Sequence, residues 1–192
     1  MRYPAAQTAE RHERILDAAA RLFRERGFEA VKVADVMAAA GLTHGAFYAH
    51  FPSKAALAAA SVERGLDEML RHLDRALAAD DPRRAFADGY LSARHRDHPG
   101  QGCVIAALGP EFARASDSER SGFSERIRTL VAGMASGFRW RHRADARAEA
   151  IRMMATLVGA VVLARAVGDT ALSDEIIAAT RAGFGLGTGD GA

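Results

Sequence analysis

Apolar positions along this chain recur at helical spacing almost from end to end. Over residues 8–27, Ile15, Leu16, Ala19, Leu22 and Phe23 share one face while Arg and Glu fill the other, which predicts an amphipathic helix. Thr8 is its expected N-cap and Gly27 its left-handed end. A shorter helix is expected over about 33–40, with Val33, Val36, Met37 and Ala40 inward, and Gly41 breaks it. Thr43 can then cap a third helix of about seven residues, which ends at Phe51 before Pro52. Ser53 offers an N-cap for a long helix from Lys54 to about Ala79, with Leu57, Val62, Leu66, Met69, Leu70 and Leu73 on its apolar face.

From Pro82 onward the pattern predicts helices at about 82–96, 101–115, 117–141, 144–168 and 171–184, and no run of alternating β-branched residues competes. The fold class is therefore all-α. The glycine-rich end GLGTGDGA, residues 185–192, is expected to be disordered. Residues 151–167 are apolar on more than one face, with Gly159 and several alanines permitting close helix approach. Such a helix should pack on the core with one side and on a second copy of the chain with the other, Leu172, Ile176, Ile177 and Phe184 completing a two-fold interface.

Composition narrows the function classes. A chain of 192 residues can bury one substantial core, or a small domain plus a larger one. The longest apolar stretch, Leu157 to Ala164, stops at Arg165, well short of the roughly 20 residues that span a bilayer, so no membrane partner is expected. No charged start followed by an apolar run and cleavage site is seen, which predicts a cytoplasmic protein. The single Cys103 cannot form an internal disulfide and suits a reducing compartment. A formal charge of +2 does not by itself point to nucleic acid, so the local distribution of charge decides. The two lysines, Lys32 and Lys54, both lie in the first third.

The informative stretch is VADVMAAAGLTHGAFYAHFPSKAAL, residues 33–57. It has the layout of a helix-turn-helix: a first helix, a glycine turn, and a second helix that opens on small or polar residues. Gly45 and Ala46 permit close approach to the major groove, while Thr43 and His44 offer hydrogen-bonding groups to base edges. Phe47 and Phe51, four apart, face inward. Tyr48, His50 and Lys54 can aim a hydroxyl, an imidazole and an ammonium at phosphates, and no acidic residue lies between Thr43 and Lys54. The alternatives are a half-buried aromatic at Tyr48, an exposed polar residue at His44, and generic surface at His50 and Lys54.

The run AGLTHGAFYAHFPSKAAL resembles the signature of the TetR family of regulators, and ILDAAARLFRERGFEAV before it resembles that family's first helix. The resemblance covers about residues 10–60. It implies a three-helix DNA-binding domain over 8–53 and a larger helical effector-binding and dimerisation domain over 54–184. It also implies a homodimer through the last two long helices, palindromic operator DNA as partner, and an unidentified small-molecule effector whose binding shifts the helix after Ser53 and weakens operator binding. Lys32 stands where the family commonly has a capping threonine, and a phosphate contact from it is expected instead. Ala34 stands where a polar residue is frequent. Ala55 and Ala56 replace an acidic residue, so the helix after Ser53 lacks a capping-box partner, a local cost of about 1 kcal/mol.

Chemistry elsewhere is sparser. Most aromatic and methionine residues of the C-terminal part, Met134, Phe138 and Met153 among them, read as core; Met69, Phe86, Tyr90, Phe112 and Phe123, with Cys103, are the candidates for lining an effector cavity. Cys103 at a helix start, with Arg94, His95, Arg96 or His98 near it in sequence, could be a reactive thiol; an inert buried side chain is the plainer reading. The basic run around Trp140 (Arg139, Arg141, His142, Arg143) reads as a solvated helix end rather than an anion site. One cysteine and scattered histidines lack the spacing of a metal site, and no cofactor is expected. An enzyme or ligand carrier is the rival class, but no nucleophile, base and orienting group stand together and no phosphate-cradling glycine loop occurs. An activator or a ligand-independent DNA-binding factor would keep the same reading head.

Overall fold

The structure is a computed structural model, and it describes residues 5–186. Every regular element among them is helical: α1 (Ala5–Ala30), α2 (Val33–Ala39), a 3-10 helix (His44–Ala49), α3 (Lys54–Leu77), α4 (Pro82–Tyr90), α5 (Ala93–Asp97), a 3-10 turn (Pro99–Gln101), α6 (Val104–Phe112), α7 (Asp117–Gly137), a 3-10 turn (Arg143–Asp145), α8 (Ala146–Ala166) and α9 (Thr170–Gly183). No helix among the described residues is long and apolar enough to cross a membrane. Of the expected disordered end 185–192, residues 187–192 lie outside the described residues, whereas Leu186 is buried.

Packing groups the chain into two compact units, residues 1–66 with 99–119, and residues 67–98 with 120–192. This differs from a single cut between residues 53 and 54. The first unit includes α6 because that helix buries Val104 and Leu108 and packs along α1. Its core is built from Ile15, Leu22, Phe23, Val36, Met37, Phe47 and Leu57, which the apolar periodicity places inward, together with Val31, which it does not single out.

Two glycines shape the first unit. Gly27, at φ +78°, ends the regular part of α1, and a Cβ there would lie 2.7 Å from Oε1 of Glu111. That carboxylate accepts the N–H of Phe28 at 3.0 Å and so fixes the chain as it leaves α1. Gly41, at φ +66°, makes the turn after α2, and there a Cβ would meet the guanidinium of Arg14 at 2.8 Å. Arg14 donates to the carbonyl of Ala40 at 2.5 Å, tying α1 to the end of α2.

The second unit gathers the latter part of α3 with α4, α5, α7, α8 and α9 around Leu73, Phe86, Tyr90, Leu130, Met134, Phe138, Met153, Leu157 and Val161. Asp81 caps α4 by accepting from the N–H of Arg84 at 3.1 Å, with Pro82 at its first position. Asp169 caps α9 at 2.8 Å. Ser173 donates from α9 to the carbonyl of Ala164 at 2.7 Å, closing the corner between α8 and α9.

Several boundaries correct the expectations. Thr8 is not an N-cap, since α1 already runs at Ala5. The helix expected over 82–96 is two, because Ser92 leaves the helical conformation and caps α5 by accepting from the N–H of His95 at 3.2 Å. The helix expected to reach 141 ends at Gly137, where Trp140 folds back and donates its indole N–H to the carbonyls of Met134 and Ala135, each at 3.2 Å. The third helix is a 3-10 helix, and Thr43 holds the N-cap position without a side-chain hydrogen bond. Six residues between a glycine turn and a proline leave little room for i→i+4 bonds, and bonds from Ala46 to Thr43 and from His50 to Phe47 tighten both ends.

Candidate nucleic-acid interface

The segment His44–Ala49 is anchored by two phenylalanines and presents the rest outward. Phe47 and Phe51 are buried, their rings stacked 6.2 Å apart. Tyr48 meets Phe47 edge to face at 5.2 Å and is 68% exposed, so its ring is braced on one side and accessible on the other. Thr43, His44 and Gly45 are exposed and Ala46 is half-buried. No side chain lies within 4 Å of where a Cβ at Gly45 would sit, so the backbone there is open to close approach.

Ser53 caps α3 as expected, accepting from the N–H of Ala56 at 3.0 Å, and this places Lys54 at the first position of the helix. An ammonium at a helix N-terminus opposes the helix dipole, so its position there gains nothing for the fold. Lys32 precedes α2 and is exposed. Half of a capping box survives around it: its backbone N–H donates to the carboxylate of Asp35 at 2.9 Å, a bond that any residue at 32 except proline could make, so the ammonium is left to other uses.

The geometry adds residues that the sequence pattern did not single out. His12 of α1 stacks on Phe51 at 4.4 Å and lies 6.2 Å from His50. His50 is half-buried; desolvation, then the charges of His12 and Arg11, push its imidazole below the ordinary value. Behind them Arg64 of α3 pairs with Glu13 and Asp17 of α1, and its hydrogen bond holds the Glu13 carboxyl below the usual range. These acidic groups are thereby bound to a cation of the same unit. Contacts such as Arg64 to Asp17, 47 residues apart, leave no local sequence pattern.

The candidate effector residues are divided between the two units. Cys103 and Phe112 belong to the first unit, where Cys103 is the buried N-cap residue of α6 and Phe112 meets Phe28 edge to face at 6.1 Å. Met69, Phe86, Tyr90 and Phe123 belong to the second. There Phe86 stacks with Tyr90 at 6.1 Å and meets Phe138 at 5.8 Å, while Phe123 is half-buried on α7. Two of the basic residues expected to activate Cys103 have other tasks: Arg96 pairs with Asp97 and Asp174, and His95 is bonded to the carbonyl of Tyr90 at 2.6 Å. Arg139, Arg141, His142 and Arg143 are all exposed. No cluster of three metal-ligating side chains occurs among the described residues.

Comparison with known proteins agrees with this geometry. Residues 15–61 match the family model described as bacterial regulatory proteins, tetR family. The chain is 29% identical over 110 residues to the HTH-type transcriptional repressor DhaR of a Mycobacterium species, covering 57% of this chain and 56% of that protein. It is 39% identical over 75 residues to the HTH-type transcriptional regulator TtgR of Pseudomonas putida, covering 39% of this chain and 35% of that one. The matches thus span about half, or less, of these curated relatives' lengths. In fold, a TetR transcriptional regulator from Chloroflexus aurantiacus superposes with a TM-score of 0.77 at 24% identity, over 95% of this chain and 98% of the other. Residues 15–61 thus carry the signature of the tetR family of bacterial regulatory proteins, and the chain shares the all-helical fold of TetR regulators of known structure.

Proposed function

We propose that the protein is a DNA-binding transcriptional regulator, a repressor that releases a palindromic operator when a small molecule binds or when Cys103 is modified. Thr43, His44, Gly45 and Ala46 face the bases of the major groove, and Tyr48, His50, Lys54 and Lys32 hold the phosphates on either side. The observation that carries this reading is the exposed strip from Thr43 to Lys54, which lacks any carboxylate and rests on the buried pair Phe47 and Phe51. A surface of that kind can lie against a polyanion without like-charge repulsion. Repressors stand among the relatives, DhaR for one, which supports the sign of regulation.

Two copies of the strip would read two half-sites, and α8 and α9 supply the means of pairing. Their outer face exposes Ile151, Leu163 and Leu172 at 45%, 57% and 43%, aliphatic side chains that a second copy would cover. The second unit, with its aromatic core, is where an effector would bind, and differential affinity for two states of the dimer would do the switching.

The test is enrichment of duplexes from a random library by the full-length protein. A palindromic consensus bound with strong salt dependence, and an affinity drop of about tenfold or more in Tyr48→Ala with unchanged melting, is the expected result. Binding without sequence preference would overturn the reading.

A further inference from the structure

His12 lies about two turns into α1, and its ring is face to face with Phe51, centroids 4.4 Å apart and planes inclined by 20°. The same ring stands 6.2 Å from that of His50, tilted by 49°. Both are half-buried at the edge of the strip that Tyr48 tops. A single phosphate group can span two imidazoles at this separation, each donating one N–H to a different non-bridging oxygen. Phe51 offers its face to His12, which holds that ring beside His50.

We propose that His12 and His50 form one phosphate clamp, whose rings gain protons as DNA is bound, so that the protein binds duplex DNA more tightly as pH falls. This rests on the DNA-binding reading above and adds a residue and a proton to it.

The surroundings fix the sign. From α1, Arg11 contributes positive charge beside His50, and Glu13 contributes negative charge beside His12. Glu13 is bonded to Arg64 of α3, which also holds Asp17, so one guanidinium offsets part of the negative charge of these two carboxylates. Burial and the charges of His12 and Arg11 favour a neutral His50 in the free protein. A phosphate placed against both rings reverses that preference, since an anion within hydrogen-bond distance stabilises the protonated form. Binding therefore takes up protons, and affinity rises with acidification between the free and bound titrations.

The experiment uses the full-length protein and a duplex enriched by the wild type from a random library, with affinity read by fluorescence anisotropy at fixed salt. Between about pH 7.5 and about pH 6, wild-type affinity should rise by roughly 3–10-fold, and the dependence on salt should steepen by up to about one phosphate contact. His12→Phe keeps a ring to stack on Phe51 but cannot be protonated, and His12→Gln keeps a donor without the charge; each should lose at least half of the rise. A measurement on the wild type alone gives the same information: the His12 and His50 imidazole resonances should titrate at higher pH with duplex present than without. A wild type with pH-independent affinity, a rise kept in both variants, or unmoved resonances would overturn the clamp and leave DNA binding standing. No binding to any duplex at either pH would overturn both.

Discussion

The first unit's reading segment and the second unit's paired helices α8 and α9 both expose large side chains beside buried ones, but the exposed chemistry differs. Tyr48 stands outside Phe47 with a hydroxyl at its tip, flanked by His44, His50 and Lys54. Leu163 stands outside Val161 and Ala164, with Ile151 on the same helix and Leu172 on α9, and none carries a polar atom on its side chain. An amphipathic ring beside two imidazoles and an ammonium offers hydrogen bonds to a polar partner, whereas bare aliphatics look for another hydrocarbon surface. One all-helical chain thus presents two kinds of surface. What separates them is the polarity of the outermost atoms rather than the degree of exposure.

The strongest way to break this contrast is to remove the support under one region. Phe47 and Phe86 are both fully buried, one in each unit. Phe47→Ala and Phe86→Ala should each cost about 3–5 kcal/mol. For Phe47→Ala, amide exchange should accelerate chiefly in α1, α2 and the reading segment, and DNA binding should be lost. For Phe86→Ala it should accelerate chiefly in α4, α7 and α8. Equal acceleration in both units for either variant would show that the two regions are not separate in energy, and the contrast between them would fail.

How much of this was legible depended on how local each cause is. Ser53, Gly27, Gly41 and Pro52 act within a turn or two of themselves, and the breaks and caps read from them stand where the sequence places them. The inward pair Phe47 and Phe51 follows from spacing alone. What escaped is long-range or competitive. Arg14 to Ala40, Glu111 to Phe28 and Arg64 to Asp17 join residues 26, 83 and 47 apart, and nothing local marks either partner. His12 escaped because its partners His50 and Phe51 lie far along the chain, beyond the turn. At Ser92 the apolar pattern continued across a residue whose hydroxyl bonds the backbone better as a cap, and the cap prevailed. In the second unit aromatic side chains fill core and could line a cavity equally well by spacing, so pattern does not separate the two.

Two histidines sharpen the comparison through pH. His50 in the first unit is half-buried, while His95 in the second is more deeply placed, edge to face with Tyr90 at 4.5 Å and bonded to that residue's carbonyl. Burial, only partly offset by that bond, pushes the His95 imidazole down to about 4. An unfolded histidine titrates near 6.5, so between about 6.5 and 4 the unfolded chain holds a proton that the folded one refuses. Stability is therefore full above about pH 6.5 and declines as pH falls through that window, by at most about 1.4 kcal/mol per pH unit. His95→Gln, which keeps a donor for the Tyr90 carbonyl, should flatten this acid limb in urea titrations. His50→Gln should change it little. A limb of unchanged slope in His95→Gln would mean that the imidazole is solvated in the folded protein.

The smallest expected effect sets two basic residues against each other. Lys54 begins α3 beside the reading segment, and Arg141 lies exposed after α7 in the second unit. Both are cations near the ends of helices, and Lys54 closes the strip without carboxylates. A cation at the first position of a helix is opposed by the helix dipole, so Lys54→Ala should leave stability within about 0.5 kcal/mol or raise it slightly. Its affinity for the enriched duplex should fall only several-fold at moderate salt, and the slope of log affinity against log salt should lose about 0.9, the signature of one phosphate contact. Arg141→Ala should leave that slope as it was. An equal loss in both variants would extend the DNA-facing surface into the second unit, and no loss in Lys54→Ala would confine it to the residues before Pro52. The slope is the more telling readout than affinity, because counterion release counts phosphates while a fold defect weakens binding at every salt concentration alike.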